Sequence, residues 1–415
     1  MMYREAVRFL YSLGNEVKAA KLGLDRMGAL LAALGDPHCA GGFVHVAGTN
    51  GKGSTCAMIE AGLRAAGCRT GLYTSPHLVE PTERIRIAGE PVSEADFARA
   101  FETVHRVAER LMASGVLEAH PTYFETVTAM AFVLFRELGA EWSVLEVGLG
   151  GRLDATNVVR PRIAVITPVD FDHEAFLGKS LESIAAEKAG ILKAGVPGVI
   201  APQRPEAAAT LRAAAEALGV ETQWVADWPV EDLELTAHGC RFRSRHLAVD
   251  CALAGEHQVG NALTAAIALD LAGVSPDGIR NTRWPGRLER VRCAPDVILD
   301  GAHNPAGARA LARYIERFYS GRRVWMIYAA MRDKAVEETS AILFPLAGEV
   351  IATAPAQARA VRPEVIRELA DHPRIRIAPR LADALAMASG AAPEDAVFIT
   401  GSLFVVGEAR ALLVK

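Results

Sequence analysis

Two kinds of apolar run alternate along most of this chain, and they differ in period. Phe43–Ala47, Ser143–Val147 and Ile163–Thr167 are nearly continuous in apolar residues and end at glycine-rich or polar loops, as strands buried on both faces do. Phe124–Leu138, Ser180–Leu192 and the stretch running to about Arg64 place apolar residues at helical spacing. Strand, loop and helix repeated in this way predict an α/β fold with a mainly parallel sheet under helices. From Glu221 to Val249 the pattern changes. Gln223–Val225, Leu233–Leu235, Arg241–Phe242 and His246–Val249 are short runs between turn residues, which predict small antiparallel strands appended to the first domain. Helical spacing resumes at Asn261–Leu271, and Trp284-Pro285-Gly286 carries two strong breakers that predict a hinge. Beyond it, Val297–Leu299, Val324–Tyr328, Glu349–Ala352 and Ala396–Thr400 predict the strands of a smaller, Rossmann-like α/β domain. The expected domains are therefore residues 1–283 and 284–415.

Composition narrows the class without changing this picture. The chain has 415 residues, 51% of them hydrophobic and 23% charged, enough to bury large cores and too apolar for a disordered protein. A net charge of −4, without any lysine or arginine block, gives no electrostatic reason to expect nucleic acid or an anionic membrane as partner. Six scattered cysteines form no C-x-x-C pair, so neither a zinc cluster nor a disulfide framework is indicated. No run approaches the roughly 18 apolar residues that span a bilayer. A reduced, cytoplasmic protein is expected, and a monomer.

The strongest local chemistry is Gly48-Thr49-Asn50-Gly51-Lys52-Gly53-Ser54-Thr55, set between a predicted strand and a predicted helix. Glycines let the backbone curl so that N–H groups face inward, and the helix N-terminus adds partial positive charge. Lys52 is suited to neutralise β/γ-phosphate charge, and the Ser54 hydroxyl to reach a magnesium ion. The loop departs from the common P-loop: two residues, not four, separate Gly48 from Gly51-Lys52, and Gly53 precedes Ser54.

This loop is similar to the variant phosphate loop of the Mur ligase superfamily, and the chain resembles that superfamily's folate branch, the dihydrofolate and folylpolyglutamate synthases. Further segments carry the resemblance in the family's order: Thr74-Ser75-Pro76-His77-Leu78, the run from Glu146 through Gly150-Gly151 to Asp154-Ala155-Thr156-Asn157, and Asp172-His173. Glu187-Lys188-Ala189-Gly190, His257-Gln258 with Asn261, Pro285-Gly286-Arg287, Asp300-Gly301-Ala302-His303 and Thr400-Gly401-Ser402 complete it. The resemblance implies two magnesium ions, with Ser54 a ligand of the first and Ser75, Glu146 and His173 holding the second. Imidazole is softer than magnesium prefers, which makes His173 the oddity. Alone, an Asp-His dipeptide in a loop is an ordinary surface feature. Lys188 matches a lysine that becomes a carbamate in related ligases; the plain alternative is a solvated helix lysine paired with Glu187.

The resemblance further implies nucleotide contacts at Asn261, Arg287 and Asp300, and glutamate contacts at His303 and Ser402. The plain alternative for Asp300-Gly301 is a strand terminus. Lys21-Leu22-Gly23-Leu24-Asp25-Arg26-Met27 and Pro121-Thr122-Tyr123-Phe124-Glu125 resemble segments that border a pterin pocket, with Leu24 and Ala155 among its expected contacts. Thr122 and Asp154 are suited to hydrogen-bond a pterin edge, and Phe124 to stack on its ring. The alternatives are that Phe124 is core and Asp154 caps a helix.

The chemistry that follows is ligation. ATP converts a carboxylate to an acyl phosphate, an amine then attacks it, and Lys52, Lys188, Glu146, His173 and Arg287 are the expected catalytic groups. The expected reaction adds L-glutamate to dihydropteroate and to reduced folates. A folylpolyglutamate synthase without the first activity, another Mur-type amino-acid ligase, and a phosphate-loop ATPase that ligates nothing stay open. A dehydrogenase reading of Gly148-Leu149-Gly150-Gly151 fails, because the spacing of the dinucleotide fingerprint is not met.

Overall fold

The computed structural model describes residues 2–14, 23–332 and 334–414; Lys21 and Leu22 of the N-terminal segment lie outside the described residues. The chain divides into two compact units, Met1–Glu231 with Arg243–Val249 and Gly260–Asn281, and Asp232–Phe242 with Asp250–Val259 and Thr282–Lys415. Among the described residues no helix is long and apolar enough to cross a membrane.

The first unit is built on an eight-stranded sheet. Its strands are β1 (Gly42–Ala47), β2 (Thr70–Tyr73), β3 (Ile85–Ile87), β4 (Glu90–Pro91), β5 (Trp142–Glu146), β6 (Ile163–Ile166), β7 (Gly198–Ile200) and β8 (Thr222–Trp224). Their order is β4-β3-β2-β5-β1-β6-β7-β8. From β2 to β8 all pairings are parallel; only β3 and β4 run antiparallel, at one edge. Every residue of β1 and β6 is buried, as continuous apolar runs covered on both faces require. One face carries Asp25–Ala33, Glu94–Ala113 and Tyr123–Glu137, whose Met27, Leu30, Phe97, Phe101 and Phe132 are fully buried in one core. Leu181–Ala189 and Pro205–Leu218 pack in a second core with β6 and β7.

Gln223–Val225 does not join an antiparallel set. It forms β8 and pairs in parallel with β7, extending the main sheet. The remaining short runs make a separate three-stranded sheet of β9 (Glu231–Thr236), β10 (Gly239–Ser244) and β11 (Leu247–Cys251), in the order β11-β10-β9.

The second unit carries β12 (Glu289–Arg292), β13 (Asp296–Leu299), β14 (Val324–Tyr328), β15 (Glu349–Ala352), β16 (Ile375–Ile377) and β17 (Ala396–Thr400). Their order is β12-β13-β17-β14-β15-β16, parallel except for β12, which runs antiparallel to β13. Sequence reading missed β12 and β16, which carry charged residues at the two edges and so lack the continuous apolar run of a central strand.

Candidate active site

In the first unit, β5, β1 and β6 are neighbours, so three loops leave the carboxyl edge of the sheet side by side. Ligands gather at such edges in parallel sheets. The loop after β1 is the glycine segment. Gly51 has φ +82° and opens the Lys52–Ala65 helix, and a β-carbon there would run into the side-chain amide of Asn261, which places Asn261 against the loop. Thr49 and Asn50 donate their N–H groups to Pro168 O at 2.9 and 3.2 Å. The Thr49 hydroxyl donates to Asp170 O (2.9 Å) and accepts from Asp170 N (3.0 Å), fastening the loop after β6 to the glycine loop. Sequence reading missed this brace, because neither Thr49 nor Asp170 carries a spacing signal. Lys52 Nζ folds back onto the carbonyls of Gly48 and Thr49, at 3.0 and 3.1 Å. Gly53 is half-buried, whereas Ser54 and Thr55 are buried in the first turn.

Glu146 ends β5, in register with Val46, and is buried. Its Oε2 accepts the Ser75 N–H at 3.0 Å, which joins the loop after β2 to the same edge. Cys56, one turn into the phosphate-loop helix, reports the local field: burial and the Glu146 carboxylate push its thiol pKa up, and Lys52 opposes them. His173 follows β6 in the left-handed region, φ +52°, half-buried, its Nε2 3.9 Å from Asp172 Oδ2. Lys188 is not a solvated lysine paired with Glu187. Its side chain is buried, and Glu187 instead bonds the Arg152 guanidinium at 2.8 Å. Burial, helped by the Lys52 charge, pushes the Lys188 pKa down to about 7 against the pull of Asp172, Asp154 and Glu187. Gly151 permits this approach: a β-carbon there would sit 2.7 Å from Glu187 O and 3.1 Å from Lys188 Cα.

Leu24, Thr122, Phe124, Asp154 and Ala155 also gather, at the N-terminal ends of Asp25–Ala33, Tyr123–Glu137 and the short helix Ala155–Val158, which pack on one another. Arg26 Nε bonds Glu125 Oε2 at 2.9 Å across the first two. Thr122 caps its helix by accepting Glu125 N–H. Half-buried Phe124 borders the core, near Tyr73 (6.0 Å between centroids) and over the Gly148 backbone. Asp154 is a cap. Its Oδ2 accepts Gly148 N (3.0 Å) and Leu149 N (2.9 Å); its Oδ1 accepts Thr156 N (3.0 Å) and the Thr156 hydroxyl (2.5 Å). His45, fully buried within β1, bonds Thr156 Oγ1 through Nε2 at 2.8 Å. Because the Thr156 proton goes to Asp154, His45 is the donor. This support for Asp154 was not legible in sequence.

In the second unit, buried Asp300 follows β13 and accepts Leu288 N and Ala302 N, both at 3.0 Å. Burial raises its pKa while the Arg287 charge lowers it. Desolvation is the main cause that lowers the pKa of half-buried His257 to about 4, and the charges of Arg287 and Arg313 add to it. His303 Nδ1 bonds Gly301 O at 2.8 Å, and buried Ser402 caps the Leu403–Leu413 helix through Phe404 N–H. A separate groove of this unit, lined by Arg332, Lys334, Glu338, Arg362 and Leu369, contains none of the residues singled out from sequence.

Residues 46–269 match the Mur ligase middle domain, and residues 286–403 match the Mur ligase glutamate ligase domain. The chain belongs to the Mur ligase family. Within the family it sits in the folate branch. This Mur ligase is 34% identical over 441 residues to the dihydrofolate synthase/folylpolyglutamate synthase of Bacillus subtilis, covering 98% of each chain. It is 37% identical over 436 residues to the probable bifunctional folylpolyglutamate synthase/dihydropteroate synthase of Halobacterium salinarum, covering 99% of this chain and 51% of that one. It thus spans about half the length of that archaeal relative. The solved structure of E. coli FolC in complex with DHPP and ADP superposes with a TM-score of 0.88 at 32% identity, over 99% of this chain and 97% of that one.

Proposed function

We propose that this Mur ligase is an ATP-dependent carboxylate–amine ligase that adds L-glutamate to dihydropteroate and, in further rounds, to reduced folates. The observation that carries the reading is the gathering of the phosphate loop, Glu146 and the 168–173 loop at the ends of adjacent strands, beside a buried lysine whose pKa is about 7. The B. subtilis relative, named for both activities, supports the bifunctional form.

Gly48 through Thr55 would cradle the ATP phosphates, with Lys52 Nζ moving from the loop carbonyls to phosphate oxygens. Asn261, Arg287 and Asp300 serve the nucleotide. Leu24, Thr122, Phe124, Asp154 and Ala155 would line the pterin site. The four lone-pair positions of Asp154 are already used, so a pterin bond there is a shared one. His303 and Ser402 serve the incoming glutamate. Residues 1–283 and 284–415 are assigned as the two catalytic domains.

The buried hydroxyl of Ser54 and the buried carboxylate of Glu146 fit a hard divalent cation. Ser54 would hold one magnesium ion; Ser75, Glu146 and His173 would hold a second. Magnesium bound there supplies neutralisation of phosphate charge. The neutral Lys188 Nζ would add carbon dioxide and release one proton, leaving a carbamate anion in place of a cation.

In the first step a substrate carboxylate oxygen attacks the γ-phosphorus and ADP leaves, with Lys52 stabilising the equatorial oxygens. In the second the glutamate amine attacks the acyl carbonyl, loses a proton, and phosphate leaves as the amide forms. Protein incubated with ATP, magnesium and glutamate, with dihydropteroate or tetrahydrofolate supplied separately, tests the reading by product mass. A gain of one glutamate on both acceptors is expected. Gain on tetrahydrofolate alone leaves a folylpolyglutamate synthase, and phosphate release without gain on either leaves an ATPase or a ligase for another acid.

A further inference from the structure

Away from the sites above, three ligand-bearing side chains meet between the Glu94–Ala113 helix and the segment leading into Tyr123–Glu137. His105 and Glu109 lie one turn apart on the helix, and His120 approaches from the segment. His105 Nδ1 stands 3.0 Å from His120 Nε2 and 3.9 Å from Glu109 Oε1, and one ligand atom from each residue falls within 4.8 Å of the others. The two imidazoles are joined by a hydrogen bond, and a metal ion bound there would take the place of its proton.

The ring orientations are set from outside the trio. His120 Nδ1 lies 2.8 Å from Pro121 O, a carbonyl that can only accept, so this nitrogen carries the proton and Nε2 presents its lone pair. A backbone carbonyl fixing the far nitrogen is the usual support of a metal-bound histidine. His105 packs against Phe9, at 4.5 Å between centroids, and Phe101, stacked at 5.4 Å with rings 10° apart. Both imidazoles are therefore held before any ligand arrives. Glu109 is half-exposed and leaves the trio open to solvent on one side.

We infer that His105, Glu109 and His120 form a binding site for a divalent transition-metal ion of the zinc class, with the fourth position left to water. Two imidazoles and one carboxylate match that class, whereas magnesium prefers oxygen alone. Bonds of about 2.0–2.1 Å at tetrahedral angles put two ligand atoms about 3.3 Å apart, so the nitrogens, at 3.0 Å, need shift by only a few tenths of an ångström, and the exposed Glu109 side chain, 3.9 Å from His105, swings inward. The ion would tie the 115–121 segment to the Glu94–Ala113 helix.

The test uses the full chain carrying His173→Ala, with Co²⁺ as optical probe in millimolar magnesium, so that neither the oxygen-donor sites nor the imidazole proposed beside them takes up the probe. No nucleotide or folate is added, so the result does not depend on the ligase reading. One equivalent of Co²⁺ with the visible absorption of a four-coordinate site is expected. Zn²⁺ should displace it and raise the Tm. E109Q should weaken binding at least tenfold and H120A should abolish it. Should H120A fail to fold, the exposed E109Q decides alone. Unchanged Co²⁺ affinity in E109Q, or no saturable binding to the parent chain below millimolar, overturns the site.

Discussion

The positive charge of Lys52 acts on Lys188: after burial it is the second cause that lowers the Lys188 pKa, and Asp172 is the first of three carboxylates that oppose it. Folded Lys188 gives up its proton near pH 7, whereas an unfolded lysine keeps it to about 10.4. Between those values the unfolded chain binds the extra proton, so stability rises with pH across that window. Lys188→Met should remove the slope and, at pH 7 and below, stabilise the fold by on the order of a few kcal/mol, measured by urea unfolding. The same variant should lose ligase activity. With ¹³C-bicarbonate the parent should show a carbamate carbon by NMR that the variant lacks; a parent without that signal would remove the carbamate from the mechanism.

Gly51→Ala places a β-carbon against Asn261 and forces an L-residue into φ +82°. A stability loss of about 1–2 kcal/mol is expected. ATP affinity should fall at least tenfold, read by calorimetry, because the curl of the loop and the seat of Asn261 both shift.

Asp154→Ala leaves the N–H groups of Gly148, Leu149 and Thr156 without their acceptor. At about 1–3 kcal/mol for the buried Thr156 group and less for the half-buried Gly148 and Leu149 groups, a loss of about 2–4 kcal/mol is expected on chemical unfolding. Asp154→Asn keeps one oxygen and should lose less than half of that. Both should raise KM for dihydropteroate more than KM for ATP.

Glu146→Gln keeps an oxygen that can accept the Ser75 N–H, so Tm should move little. Losing the anion from the hard-donor set should cut kcat by about 10²-fold or more and raise the magnesium needed for half-maximal rate. Near-normal kcat in this variant would remove Glu146 from the metal site.

Phe124→Ala should raise KM for dihydropteroate about tenfold, as expected for the loss of a stacking partner, with nucleotide binding unchanged. Steady-state kinetics with each substrate varied in turn separates the two. Equal losses for both would mean that Phe124 acts through the core it borders.

What could be read beforehand divides by physical origin. Val324–Tyr328, Glu349–Ala352 and Ala396–Thr400 were legible to the residue because central strands covered on both faces are apolar over nearly their whole length. The phosphate loop was legible because its backbone curl demands glycine at fixed places. β12 and β16 were not, since edge strands are free to carry charge. Lys188 shows the limit most plainly. Its local sequence also fits a solvated helix face, and the close approach of the Gly151 turn, a tertiary contact, is not written there. The donation from His45 through Thr156 to Asp154 joins residues about a hundred positions apart, a separation over which one sequence carries no pairing signal.

The strand order has a consequence for the chain as it is made. β1 is complete long before β5 and β6, the two strands that will flank it, have been synthesised. A ribosome-bound or truncated product ending short of Trp142 therefore owns every glycine of the phosphate loop yet lacks Glu146 and the Asp170 brace. Unfinished chains should be poor ATP binders, and capture of nucleotide by nascent chains of increasing length should switch on only once β6 has emerged.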